Sequence, residues 1–124
     1  MAFVKNPVAS KLASNIVEDV SANGTSQANV LGGTGTIFLI RIDNSANSAE
    51  TVYLKIYDAT SATVGTTRPA GIFSCPASST RQYSIPDGIV LSAGLTYAMV
   101  KTAGLQGASS DNPSGTVKLY IATS

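Results

Sequence analysis

Histidine and tryptophan are absent from this 124-residue chain, cysteine occurs once, and charged residues make up only 12% of it. Without histidine the chain lacks the commonest general base, the nucleophile triads built on it, and the usual nitrogen ligand of zinc and copper sites. Cys75 alone cannot close an intrachain disulfide or supply a tetrahedral thiolate cage. With no imidazole to take its proton, it reads as a buried structural thiol rather than a nucleophile. Seven acidic residues remain for a carboxylate pair or a calcium site, with Glu18, Asp19, Asp43 and Asp58 as candidates. None lies in an Asp-rich loop of ligand spacing, and solvated strand ends account for them. Neither a metal nor another cofactor is expected, and no enzyme signature is present.

Charge of either sign is also sparse. Eight basic and seven acidic residues are scattered singly for a net charge of +1, which gives no electrostatic footprint for nucleic acid or an anionic membrane. No apolar run approaches the roughly 18 residues that span a bilayer, and the start, Met1-Ala2-Phe3-Val4-Lys5-Asn6-Pro7, lacks an uninterrupted apolar h-region. A soluble, unprocessed protein is expected, with neither nucleic acid nor membrane as partner. Gly33-Thr34-Gly35 lacks the third glycine and the following helix of a dinucleotide loop, and reads as a turn before a strand.

What is present is β patterning. Hydrophobic residues reach 44%, with abundant glycine, serine, threonine and alanine, and the length suits one domain. Residues 1–11 carry Pro7 and two lysines without periodicity, and read as an extended N-terminal arm that needs a neighbour to pack on. Leu12, Ile16 and Val20 fall at helical spacing, although Asn15 to Val20 also permits a short strand, which the β-rich remainder favours. Gln27 to Leu31 reads as a short connecting strand. Thr36 to Asp43 is apolar on both faces in its first half, with Phe38, Ile40 and Ile42 on one side, and should be central. Thr51 to Asp58 alternates Val52, Leu54 and Ile56 inward against Tyr53, Lys55 and Tyr57 outward, and the two runs are expected to pair as a hairpin.

Residues 59–70 lack periodicity and read as a long surface crossing between sheets. Gly71 to Cys75 and Arg81 to Ile85 read as strands, Pro86-Asp87-Gly88 as a tight turn, and Ile89 to Leu91, Leu95 to Thr102 and Gly115 to Ala122 as further strands. The last places Val117, Leu119 and Ile121 inward, with Lys118 and Tyr120 outward. Turn signals about every 8 to 12 residues predict an all-β, single-domain antiparallel β-sandwich of jelly-roll type over residues 12–124.

The outward Tyr53, Lys55, Tyr57 row, with the similar Lys118, Tyr120 pair, is the surface feature open to a functional reading. Tyrosines two apart on a strand stack sugars or bases, or cover area at a protein interface. They are also ordinary strand residues, with lysine guarding an edge. The absence of tryptophan removes the best component of a carbohydrate platform.

Two stretches, "IDNSANSAETVYLKIYDATSATVGTTRPAG" (residues 42–71) and "SIPDGIVLSAGLTYAMVKTAG" (residues 84–104), resemble a family of small tailed-bacteriophage virion proteins. The likeness lies in an Asp-Asn-Ser-Ala-Asn loop before a Tyr-Leu-Lys-Ile-Tyr strand, a Thr-Val-Gly-Thr crossing, and a Pro-Asp-Gly turn leading into Gly-Leu. It spans roughly residues 37–121, and none of its motifs is catalytic. The resemblance implies a capsid cement or decoration protein, made in the host cytoplasm and carried on the virion. Such a protein binds the outside of the shell as a homotrimer, with the major capsid protein as partner. Phe3, Val4, Lys5 and Pro7 of the arm join Tyr53, Lys55, Tyr57, Lys118 and Tyr120 as candidate interface residues. The alternative is a glycan-binding or structural module of a tail or fibre, with Tyr53, Tyr57 and Tyr120 as stacking residues.

Overall fold

A computed structural model describes residues 14–124. The expected arm, with Phe3, Val4, Lys5 and Pro7, lies outside the described residues. The described chain is all-β, with seven strands: β1 (Asn15–Asp19), β2 (Gly35–Asp43), β3 (Val52–Asp58), β4 (Gly71–Cys75), β5 (Thr80–Leu91), β6 (Leu95–Val100) and β7 (Lys118–Thr123). Two antiparallel sheets, ordered β1-β7-β2-β5 and β4-β3-β6, pack face to face as a β-sandwich. Of the two readings open for residues 15–20, the strand is the one adopted.

The core follows from alternation. Ile37, Ile40, Ile42, Leu119 and Ile121 from the larger sheet meet Val52, Leu54, Ile56, Leu95, Tyr97 and Met99 from the smaller one, all buried. Burying one such side chain is worth about 1.5–3 kcal/mol, which makes this interlayer the main source of stability. In β2 the inward residues are Ile37, Ile40 and Ile42, not Phe38, Ile40 and Ile42 as a strict period of two predicts. A bulge between Ile37 and Leu39 slips the register, so Phe38 and Leu39 both face away from the core.

Opposite that bulge, Pro86-Asp87-Gly88 is not a turn between two strands but an irregularity inside one long β5. Ile37 pairs with Ile89 and Leu39 with Ser84, leaving residues 85–88 of β5 against a single residue of β2. Proline has no N–H to lose from the ladder there, and Gly88, at φ +77°, leaves room where a Cβ would overlap the methyl of Thr36.

The expected β2–β3 hairpin does not form. β2 lies between β7 and β5, whereas β3 lies between β4 and β6, so residues 44–51 carry the chain from one sheet to the other. Buried Asn44 fixes this crossing, donating from Nδ2 to the carbonyls of Glu50 (3.1 Å), Cys75 (3.2 Å) and Pro76 (3.1 Å). Residues 59–70, conversely, do not change sheets. They return from β3 to its neighbour β4. Gln27 to Leu31 is not a continuous strand: Gln27 forms an isolated bridge to Tyr97, and Asn23 and Val30 bond Met99 and Leu95 along the same side of β6.

Both sides of the sandwich are laced by tyrosine hydroxyls. Tyr83 of β5 donates to the Ser74 carbonyl of β4 (2.6 Å), and its ring meets Phe73 edge-on at 5.1 Å. On the other side, Tyr97 of β6 donates to the Asp19 carboxylate of β1 (2.8 Å). Burial, helped by the neighbouring carboxylate, pushes the Tyr97 hydroxyl well above the ordinary tyrosine range. The folded state therefore keeps this proton where the unfolded chain, titrating at about pH 10, gives it up. That contribution is fully present below about pH 10 and is lost as pH rises beyond it. Tyr97→Phe is expected to cost about 1–3 kcal/mol at pH 7 and to flatten part of the alkaline loss of stability, as read by urea unfolding at pH 7 and pH 11.

Candidate functional site

The row that sequence presents as outward is interior. Lys55 is 0% exposed, Tyr57 is fully buried and Tyr53 half-buried. The reason is a third layer formed by two loops. Residues 59–70 bring Ala59, Ala62 and Val64 over Tyr57, Ala98 and Val100 on the outer side of the smaller sheet. Residues 101–114 bring the Gln106 carbonyl to the Lys55 ammonium, with the Asp111 carboxylate beside it. The two loops meet where Gly65, at φ +90°, lies against the Gly107 carbonyl, a contact that leaves no room for a Cβ.

Burial lowers the Lys55 ammonium from the usual lysine range, partly offset by Asp111, and raises the Tyr57 hydroxyl. Lys55 is thus a clamp on the chain's own loop, and of the row only the half-buried Tyr53 reaches the surface. Lys55→Met is expected to keep the sandwich but free residues 101–114. Limited proteolysis checks this: cleavage within that loop should accelerate at least about tenfold, since a lone buried Asp111 loses its partner.

The other flagged groups divide clearly. Cys75 is buried, its Sγ near the Ile42 and Ser79 carbonyls, and burial pushes the thiol up. Asp43 accepts from the Ser45 amide (3.0 Å) and the Thr80 hydroxyl (3.1 Å), which with the Ser45 hydroxyl holds its carboxyl below the usual range. Asp58 accepts from the amides of Ala93 (2.8 Å) and Ser92 (3.2 Å), and is lowered for the same reason. These carboxylates brace turns. Among the described residues, no group of three His, Cys, Asp or Glu side chains is placed to hold a metal ion, and no helix is long and apolar enough to cross a membrane.

Lys118 and Tyr120 do lie at the surface, as the alternation of β7 predicts. They stand on the open face of the larger sheet, in rows set by the strand register. One row runs Ile16, Ala122, Leu39, Ser84 across β1, β7, β2 and β5. The next runs Glu18, Tyr120, Arg41, Gln82, and a third places Lys118 and Thr80 on either side of Asp43. Ile16 is 60% exposed, Val20 61%, Val90 71% and Tyr120 39%, so among the described residues the face is substantially apolar and uncovered. A depression of about 160 Å³ opens between Glu18, Val20, Arg41, Asp43, Lys118 and Tyr120.

Sequence reasoning missed Ile16, Glu18, Val20, Leu39 and Arg41 as members of this surface. The period-two sets Ile16, Glu18, Val20 and Leu39, Arg41 were available as signals, but the slip between Ile37 and Leu39 that turns Phe38 outward and Ile37 inward was not. The fold and this face define an all-β, two-sheet protein with an exposed, partly apolar sheet face. No protein family, curated protein or solved structure matches the chain.

Proposed function

We propose that the protein is a non-enzymatic structural component of a tailed-phage particle, a cement or decoration protein that binds and stabilises the outer capsid shell. The observation that carries this reading is the open sheet face, apolar and tyrosine-bearing, on a chain whose acidic side chains are largely spent bracing its own turns. The virion-protein motifs in residues 42–71 and 84–104 support it independently. The strand orders β1-β7-β2-β5 and β4-β3-β6, with residues 23–30 bonded along the outer side of β6 in the place of an eighth strand, support a jelly roll. In this reading the chain is a homotrimer on the capsid surface, and the arm of residues 1–11, through Phe3, Val4, Lys5 and Pro7, grips the major capsid protein. Many copies on one particle let modest contacts per copy suffice.

The glycan-binding alternative keeps less support. Of its three stacking tyrosines, Tyr57 is buried and Tyr53 half-covered, which leaves Tyr120.

Mass spectrometry of purified virions from the phage that encodes the chain tests the assignment. The protein is expected on the particle and removable without opening the shell at neutral pH. A chain absent from virions contradicts the assignment. Deleting Ala2 to Lys11 should reduce the bound fraction at least about tenfold while moving the melting temperature of the isolated protein by less than about 4 °C, under 1 kcal/mol for this size. Undiminished binding after the deletion would refute the role given to the arm.

A further inference from the structure

We propose that the open face of the β1-β7-β2-β5 sheet pairs with the same face of a second copy across a two-fold axis running along β7. The argument rests on how the register distributes chemistry about that strand. In the Glu18, Tyr120, Arg41 row, an acid and a base stand at equal distance on either side of the β7 tyrosine. In the Ile16, Ala122, Leu39 row, two large aliphatic residues stand on either side of a β7 alanine. The face is therefore antisymmetric in charge and symmetric in apolarity about β7.

Turning a second copy over about the β7 axis and laying it face to face reverses the strand order while keeping each row in register. Glu18 of each copy then meets Arg41 of the other, Ile16 meets Leu39, and the rings of the two Tyr120 residues meet at the centre. Each contact is repeated by symmetry, as a closed two-fold interface requires. At the end of the face the two Lys118 side chains come together, each beside its own Asp43, whose carboxylate offsets the like charge. A shift of one strand in one direction would bring Glu18 to Tyr120 and leave Arg41 in solvent, and in the other would bring Arg41 to Tyr120 and Glu18 to Gln82, so the charges favour the β7-centred arrangement over its neighbours.

Area sets the strength. The three strands that overlap, β1, β7 and β2, are about 4.8 Å apart and five residues long at about 3.4 Å each, which gives roughly 250 Å² in projection, against about 800 Å² per partner in an ordinary stable complex. The contact is therefore weak for one pair and becomes significant where copies are held at high local concentration. A two-fold contact lies outside a threefold ring, so in a trimer it joins one ring to the next. It does not depend on the particle assignment.

Sedimentation velocity on the full chain, from about 10 µM to about 1 mM, reads the contact directly. The wild type should show a weight-average sedimentation coefficient that rises with concentration. Glu18→Arg or Arg41→Glu alone places like charges opposite one another and should weaken association at least about tenfold. The double exchange, Glu18→Arg with Arg41→Glu, restores opposite charges and should return it to within about threefold of wild type. Circular dichroism confirms that each variant keeps its β fold, and Ile16→Asp supplies a second disruption independent of Glu18 and Arg41. Association that never appears, that survives the single charge reversals, or that the double exchange fails to restore in folded protein overturns the proposal. A chain absent from virions would leave these results standing, whereas a particle-bound chain whose association ignores the charge exchanges would overturn this contact alone.

Discussion

The structure depends on burying Lys55. Strand β3 carries core residues on both faces: Val52, Leu54 and Ile56 fill the space between the sheets, while Tyr53, Lys55 and Tyr57 point to the other side. An ammonium group taken out of water needs a carbonyl and a carboxylate close by, and the chain supplies both from one loop, with the Gln106 carbonyl and Asp111. Once that loop is drawn down, the loop of residues 59–70 is fitted against it at Gly65 and Gly107, and Val64 seals Tyr57 and Val100 beneath. What sequence divides into a sandwich and its connections is therefore three layers, with the smaller sheet in the middle.

This layering decides where the protein can meet anything else. The outer side of the smaller sheet is closed by the chain itself, and the free side of β6 is occupied by residues 23–30. Among the described residues the larger sheet has no such cover, and its outer face carries Ile16, Val20, Val90 and Tyr120 into solvent. Monomeric proteins expose scattered apolar residues routinely, whereas here several are aligned on one sheet face together with Glu18, Arg41 and Lys118. The proposed structural role would use that kind of surface.

Much of this was legible residue by residue. The alternation of Val52, Leu54, Ile56 and of Val117, Leu119, Ile121 identified the two inward stripes, and the same period placed Lys118 and Tyr120 outside. Three things were hidden. The hairpin expected between β2 and β3 was replaced by a sheet crossing because the bonds of Asn44 reach Cys75 and Pro76, more than thirty positions away. The bulge that turns Phe38 outward and Ile37 inward is set by the pairing of β2 with β5, not by β2 itself. The Tyr53, Lys55, Tyr57 row alternates like any half-exposed strand, and only the loops folded over it, residues 59–70 over Tyr57 and residues 106–111 over Lys55, bury those two side chains.

That conversion is the central claim, and amine-selective labelling of the folded protein tests it most directly. With a small acylating reagent at neutral pH, peptide mapping should find Lys101 and Lys118 modified while Lys55 stays intact, and Lys55 should react once the protein is unfolded in denaturant. Modification of Lys55 in the native state at the rate of Lys101 would contradict the three-layer account.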